Sequence, residues 1–99
     1  MIDIRDAETL VLAFAVETLS IHNAGDALER LKSAASASDK NVELDFGTVI
    51  NIDSSAVAML VKFVQHLSGA KRNITMTRVR PEIMQTFKVL RLTSFFKFN

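Results

Sequence analysis

The period of apolar and polar positions changes several times along the chain, and each change predicts an element. Leu10-Val11-Leu12-Ala13-Phe14-Ala15-Val16 is almost continuously apolar, with β-branched and aromatic members. That pattern predicts a strand covered on both faces. A short strand over Ile2–Arg5 is expected before it as a hairpin partner. Between Ile21 and Ala37 the period becomes helical: Ala24, Ala27, Leu28, Leu31, Ala34 and Ala35 share one side, with Asp26, Glu29, Arg30 and Lys32 opposite. Ser20 or Asn23 offers the short side-chain oxygen that caps first-turn amides. Asn41–Phe46 alternates and predicts a strand with one buried face, followed by a connection over Gly47–Ile52.

A second helix is expected from the cap-type cluster Asp53-Ser54-Ser55. Val57, Leu60, Val61, Val64 and Leu67 form its core stripe, and Gly69 marks its end. Met59 and Phe63 fall off that stripe and are expected as an exposed apolar pair, a candidate partner contact. Ile74 and Met76 alternate within a strand over Arg72–Thr77. Pro81 then suits the first turn of a third helix whose inner face is Ile83, Met84, Phe87 and Leu90. Phe95–Phe98 is expected to pack back on the sheet. The order β-β-α-β-α-β-α, with short connections, predicts an α/β fold: a mixed, mostly parallel sheet with helices packed against it.

Ninety-nine residues allow one domain, taken as 1–99, and 48% hydrophobic with 23% charged residues is a globular composition. Twelve basic and eleven acidic side chains leave a net charge of +1, which argues against a nucleic-acid module. The absence of cysteine excludes a disulfide framework, a thiolate zinc site and a cysteine nucleophile. No apolar run approaches a bilayer span, so no membrane partner is expected. The charged start Met1-Ile2-Asp3-Ile4-Arg5-Asp6 is unlike a signal peptide, and the expectation is a cytoplasmic protein.

Enzymatic constellations are missing. Gly25, Gly47 and Gly69 stand too far apart for a phosphate loop, and His22 and His66 lie in different helical segments. Asp3, Asp6, Asp26, Asp45 and Asp53 are scattered, so no metal or other cofactor is expected. Lys71, Arg72, Arg78 and Arg80 read as a solvated basic edge. One cluster remains, Asn51-Ile52-Asp53-Ser54-Ser55-Ala56, at a strand–loop–helix junction. Capping is the common role of such residues. The alternative is an exposed hydroxyl at a helix amino terminus, where a phosphate would meet free amides and the positive end of the dipole. A serine nucleophile is not expected, for want of a nearby histidine base or a Gly-x-Ser-x-Gly elbow.

Val42-Glu43-Leu44-Asp45-Phe46 followed by Ile52-Asp53-Ser54-Ser55-Ala56-Val57-Ala58-Met59-Leu60 resembles the STAS family, the anti-sigma factor antagonists and related domains of sulfate transporters. The likeness is to a hydrophobic strand leading into Asp-Ser-Ser/Thr-Gly-Leu, and it continues through Val79-Arg80-Pro81-Glu82-Ile83 and the Phe87–Phe98 tail. It implies a STAS-type α/β domain without catalysis of its own. In the antagonist branch the serine after the aspartate is phosphorylated by a partner kinase that is also the anti-sigma factor. Ser54 holds that position here, with Ser55 as the alternative, and a serine phosphatase would remove the phosphate. The unphosphorylated form would bind the kinase and release its target. The implied partner face comprises Ser20, His22, Asp53, Ser54, Ser55, Ala56, Met59 and Lys62 on a chain that is monomeric when free. The competing reading is a STAS scaffold subunit of a signalling or lipid-transport complex, never phosphorylated. Three positions depart from the family pattern: Ala56 replaces a glycine and would add a methyl on the partner side, Ser20 replaces an acidic residue, and Arg91 replaces a glycine before the tail.

Overall fold

The alternation of periods becomes a sheet with its helices on one side. In the computed structural model, which describes residues 1–98, the order is β1 (Ile2–Asp6), β2 (Leu10–Phe14), β3 (Thr18–Leu19), α1 (Ala24–Ser36), β4 (Val42–Asp45), β5 (Asn51–Ile52), α2 (Ser54–Leu67), a 3-10 turn over Ser68–Ala70, β6 (Ile74–Thr77), α3 (Pro81–Val89) and β7 (Lys97–Phe98). Five strands form the main sheet in the order β1-β2-β4-β6-β7, with β1 antiparallel to β2 and the remaining neighbours parallel. The expected hairpin, the mixed and mostly parallel sheet and the returning tail are all present.

Register explains the core. Leu12, Leu44 and Met76 are lateral partners on β2, β4 and β6, and so point to one face. All three are fully buried, in one cluster with the apolar stripes of α1, α2 and α3. Val11 points the other way and is buried outside that cluster, beside the polar neighbours Glu43 and Thr75. The helices therefore cover only one face, and β2 is not sandwiched between two helical layers as its apolar run suggests. Phe46 lies 5.0 Å from Phe14 and 6.2 Å from Phe87, which in turn approaches Phe96 and Phe98, so an aromatic chain ties α3 and the tail to the sheet.

Other expectations need correction. The buried stripe of α2 is Ala56, Met59, Leu60, Phe63 and Leu67; Val57, Val61 and Val64 are only half-buried. Met59 and Phe63 are thus core, not an exposed pair, with 3% and 0% of their surface accessible. This helix is apolar around most of its circumference, so two stripes fit its pattern, and the larger side chains take the interior. Leu90, expected inside, is half exposed because α3 ends at Val89. Gly47–Ile52 is more than a connection: β5 within it pairs in parallel with β3. Asn23 caps α1 by position, but its side-chain oxygen accepts from the Ser20 amide instead of a helical one.

Arg91 resolves one departure from the family pattern. It adopts φ 57° just past Leu90, the C-cap of α3, its amide donates to Lys88 O, and the Leu92 amide donates to Phe87 O. These two bonds close a Schellman motif, whose left-handed position favours glycine. The backbone keeps the glycine conformation although the residue is arginine.

Candidate functional site

The candidate site is built around Asp53, which caps α2 with extended backbone. Its Oδ1 accepts from the Ala56 amide at 3.0 Å, the usual service of an N-cap carboxylate. Its Oδ2 does something the sequence does not show: it accepts from the Ile21 amide at 3.0 Å, thirty-two residues away. Beside it, β3 and β5 pair Leu19 with Ile52, the Asp53 amide donates to Leu19 O, and the Ile50 and Asn51 amides donate to Glu17 O. The loop after β3 is thereby stitched to the loop before α2. Donation from the Ala56 amide, then from those of Ile21 and Ser55, holds the Asp53 carboxyl below the usual aspartate range against a smaller opposing desolvation.

Ser54 is the first residue of α2 and is exposed, whereas Ser55 is half-buried. Both stand where the first-turn amides and the helix dipole favour negative charge. Ser20 is half-buried, its Oγ accepts from the His22 amide at 3.2 Å, and His22 itself is exposed. A groove of about 230 Å³ between α1 and α2 borders the site, lined in part by Ile21, Leu28, Ser55, Met59 and Lys62. Lys62 is exposed at this groove, two turns along α2, whereas Ser20, His22, Asp53, Ser54 and Ser55 lie where the two loops are tied at the helix start.

Ala56 and Met59 belong to the same first turns but face inward. Ala56 is fully buried, so its methyl points into the core and not toward a partner. Met59 touches the groove with a side chain that is only 3% accessible. In exchange, two apolar residues of the flanking loops are exposed: Ile21 at 70% and Ile50 at 37%. Ile21 is flanked by the polar Ser20 and His22, a signal that could have singled it out, whereas Ile50 follows Val49 and carries no such signal.

Asp45 ends β4 and is only 8% accessible. Arg78, after β6, donates from Nε to Asp45 Oδ1 at 2.9 Å and from Nη2 to Oδ2, while the Gly47 amide also donates to Oδ1 at 2.8 Å. The Arg78 hydrogen bonds set the Asp45 carboxyl below the usual range, although burial opposes them. A Cβ on Gly47 would come within 2.6 Å of Arg78 Cζ, so only glycine admits the guanidinium in this position. Arg72 is similarly committed, donating to Lys40 O and Ala35 O. The supposed basic edge is therefore broken up by internal bonds. Among the described residues no group of three or more metal-ligating side chains comes together, and no helix is long and apolar enough to cross a membrane.

A family model described as Mlab, STAS domain, matches residues 5–97. No curated relative matches the sequence. Among solved structures, an anti-sigma-factor antagonist (STAS) domain protein from Planctomyces limnophilus superposes with a TM-score of 0.87 at 16% identity, covering 99% of this chain and 87% of that one. A candidate anti-sigma factor antagonist from Thermotoga maritima gives 0.81 at 17% identity, with coverages of 99% and 83%. The phosphorylated form of the Bacillus cell fate determinant SpoIIAA gives 0.73 at 15% identity, with coverages of 100% and 91%. At these identities the likeness is one of fold.

Proposed function

The chain belongs to the STAS domain family, and from that membership and the geometry at the start of α2 we propose that it is a phosphorylation-controlled binding protein of the anti-sigma factor antagonist kind. It has no catalysis of its own. Its unphosphorylated form docks on a serine kinase that is also an anti-sigma factor and releases what the kinase holds; phosphorylation of Ser54 blocks docking, and a serine phosphatase restores it. The chain engages the kinase as a monomer in the cytoplasm.

One observation carries this reading. Ser54 is the exposed member of the serine pair, at the open end of a helix, inside a surface that Asp53 assembles from two loops. Ile21 and Ile50 give that surface apolar contacts, and Ser20, His22, Ser55 and Lys62 give it a polar rim. Ala56 and Met59 support it from beneath. A phosphoryl group on Ser54 adds roughly −1.5 to −2 charge. The first-turn amides stabilise that charge locally, so the domain stays folded. A kinase surface that must bury the charge without a partner loses the contact.

Mass spectrometry of protein from its own cells, beside the Ser54→Ala variant, is the direct test. A phosphoryl group mapping to Ser54 and missing from the variant supports the switch, and the same group on Ser55 moves the site by one residue. If neither serine is modified by any kinase of the same genome, while the face still binds a stable partner, the unmodified scaffold replaces this reading.

A further inference from the structure

β1 is an edge strand, and its free side carries a pattern complementary to itself. The strand lies at the end of the main sheet, with Asp3, Ile4, Arg5 and Asp6 exposed and Ile4 59% accessible. Its outward backbone groups follow from the pairing with β2. The Ala15 amide donates to Met1 O, which makes Met1 and Ala15 a hydrogen-bonded antiparallel pair. Such pairs alternate, so in the same register Asp3 and Arg5 direct their amides and carbonyls to β2. Ile2, Ile4 and Asp6 direct theirs to the open edge.

We propose that a second copy of this chain docks on that edge, β1 against β1 in antiparallel register about a two-fold axis at Ile4. The outward amide and carbonyl of Ile4 then pair with those of Ile4 in the other copy, and Ile2 pairs with Asp6 on either side. Asp3 falls opposite Arg5, twice by symmetry, in the closer non-hydrogen-bonded positions. The register selects itself. Only even-numbered residues offer outward backbone groups, so the adjacent alternatives slip by two residues. One slip places Asp3 against Asp3, and the other places Arg5 against Arg5. On the helix side the two Ile4 side chains meet, each beside the groove of about 320 Å³ that Ile2, Ile4, Arg30, Ser33 and Ala34 help to line between β1 and α1. Neither Ser54 nor the loops tied by Asp53 line this edge, so the pairing is independent of the switch. A single five-residue strand pair is small for an interface. The dimer therefore half-forms at roughly 100 μM, and dilute protein remains the monomer expected from the sequence.

Sedimentation equilibrium up to about 1 mM at low salt tests the proposal with two charge reversals. Asp3→Arg opposes two arginines and Arg5→Asp opposes two aspartates, so each variant alone should associate at least about tenfold more weakly than wild type. Mixed in equal amounts they should regain the wild-type affinity, because every pair in the heterodimer is then of opposite sign. Circular dichroism on each variant checks that it is folded; the double variant Asp3→Arg/Arg5→Asp, which restores opposite charges within one chain, carries the test if either single variant is not. A wild type monomeric throughout, a wild type whose association survives both reversals, or a mixture no stronger than its components overturns the proposal.

Discussion

Two aspartates near the carboxyl ends of β4 and β5 have similar electrostatics and opposite consequences. Asp45 and Asp53 both accept a nearby backbone amide, and both have carboxyls held below the usual range. Asp45 is enclosed by a paired guanidinium and by Gly47, so its bonds cement β4 to the chain leaving β6 and leave nothing reactive outside. Asp53 uses both oxygens to join two loops, and the residue after it is an exposed serine. A lowered carboxylate pKa therefore does not mark a functional site in this protein. What distinguishes the two corners is what each leaves accessible beside the anion.

The strongest test of that difference is Ser54→Asp. Charge at this position should weaken kinase binding by roughly 30- to 1000-fold, the effect of an unpaired charge at a buried contact. The melting temperature should stay near that of wild type, since an acidic first turn suits the helix dipole. Titration calorimetry and thermal melts read both quantities. Unchanged binding, or a variant that does not fold, contradicts a surface-acting switch.

Arg78→Met strikes the other corner and should reverse the pattern, costing stability and sparing binding. Methionine retains the apolar stem but leaves the enclosed Asp45 carboxylate with the Gly47 amide as its remaining hydrogen bond. The melting temperature should fall by roughly 5–10 °C in a domain of this size. The pH dependence has a definite sign. The wild-type Asp45 value lies below the ordinary 3.8, so its contribution is complete above that pH and is lost as pH falls through the lowered folded value. The gap between wild type and variant should therefore be full at neutral pH and narrow below about pH 4. A gap independent of pH over that range refutes the assignment to Asp45.

Much of this architecture is legible in the sequence because burial repeats. The strands, the three helices and the Asp53 cap follow from period and cap chemistry, which are local properties. The end of α3 at Val89 and the Ser20–Asn23 bond are local misses, but the larger failures depend on residues far apart in the chain. β3 and β5 are two residues each, too short to show a period, and exist because they pair with one another. The inward face of α2 could not be chosen between two apolar stripes until the sheet and α1 fixed it. The Arg78–Asp45 pair spans thirty-three positions, and a guanidinium that looks like a solvated charge in sequence is held by an anion contributed elsewhere. The cap role of Asp53 is legible in its neighbours, but the bond from its second oxygen to the Ile21 amide, thirty-two residues away, is not.

Asp53→Ala isolates that loop tie. Removing the carboxylate deletes the cap on Ala56 and the acceptor for the Ile21 amide together. Hydrogen exchange at Ile21 should quicken by up to about tenfold, the range expected for one lost hydrogen bond, while Gly47 beside Asp45 should be unaffected. Equal acceleration at both amides would mean that the two corners open as one unit and are not separable as drawn.

The smallest expected effect compares two left-handed arginines. Arg78 and Arg91 have nearly the same φ, 55° and 57°, a conformation that glycine adopts with less strain. At Arg78 the side chain has a use, because its guanidinium holds Asp45. At Arg91 the hydrogen bonds that close α3 come from backbone amides, which glycine supplies equally well. Arg91→Gly should therefore stabilise the domain by about 0.5–1 kcal/mol, the left-handed strain outweighing the added freedom of the unfolded chain. Arg78→Gly removes the same strain together with the ion pair and should destabilise. Chemical denaturation of the two variants in parallel measures this contrast. Opposite signs locate the difference between the positions in the side chain of Arg78, whereas a gain at both would show that the Asp45 pair adds less stability than its backbone conformation removes.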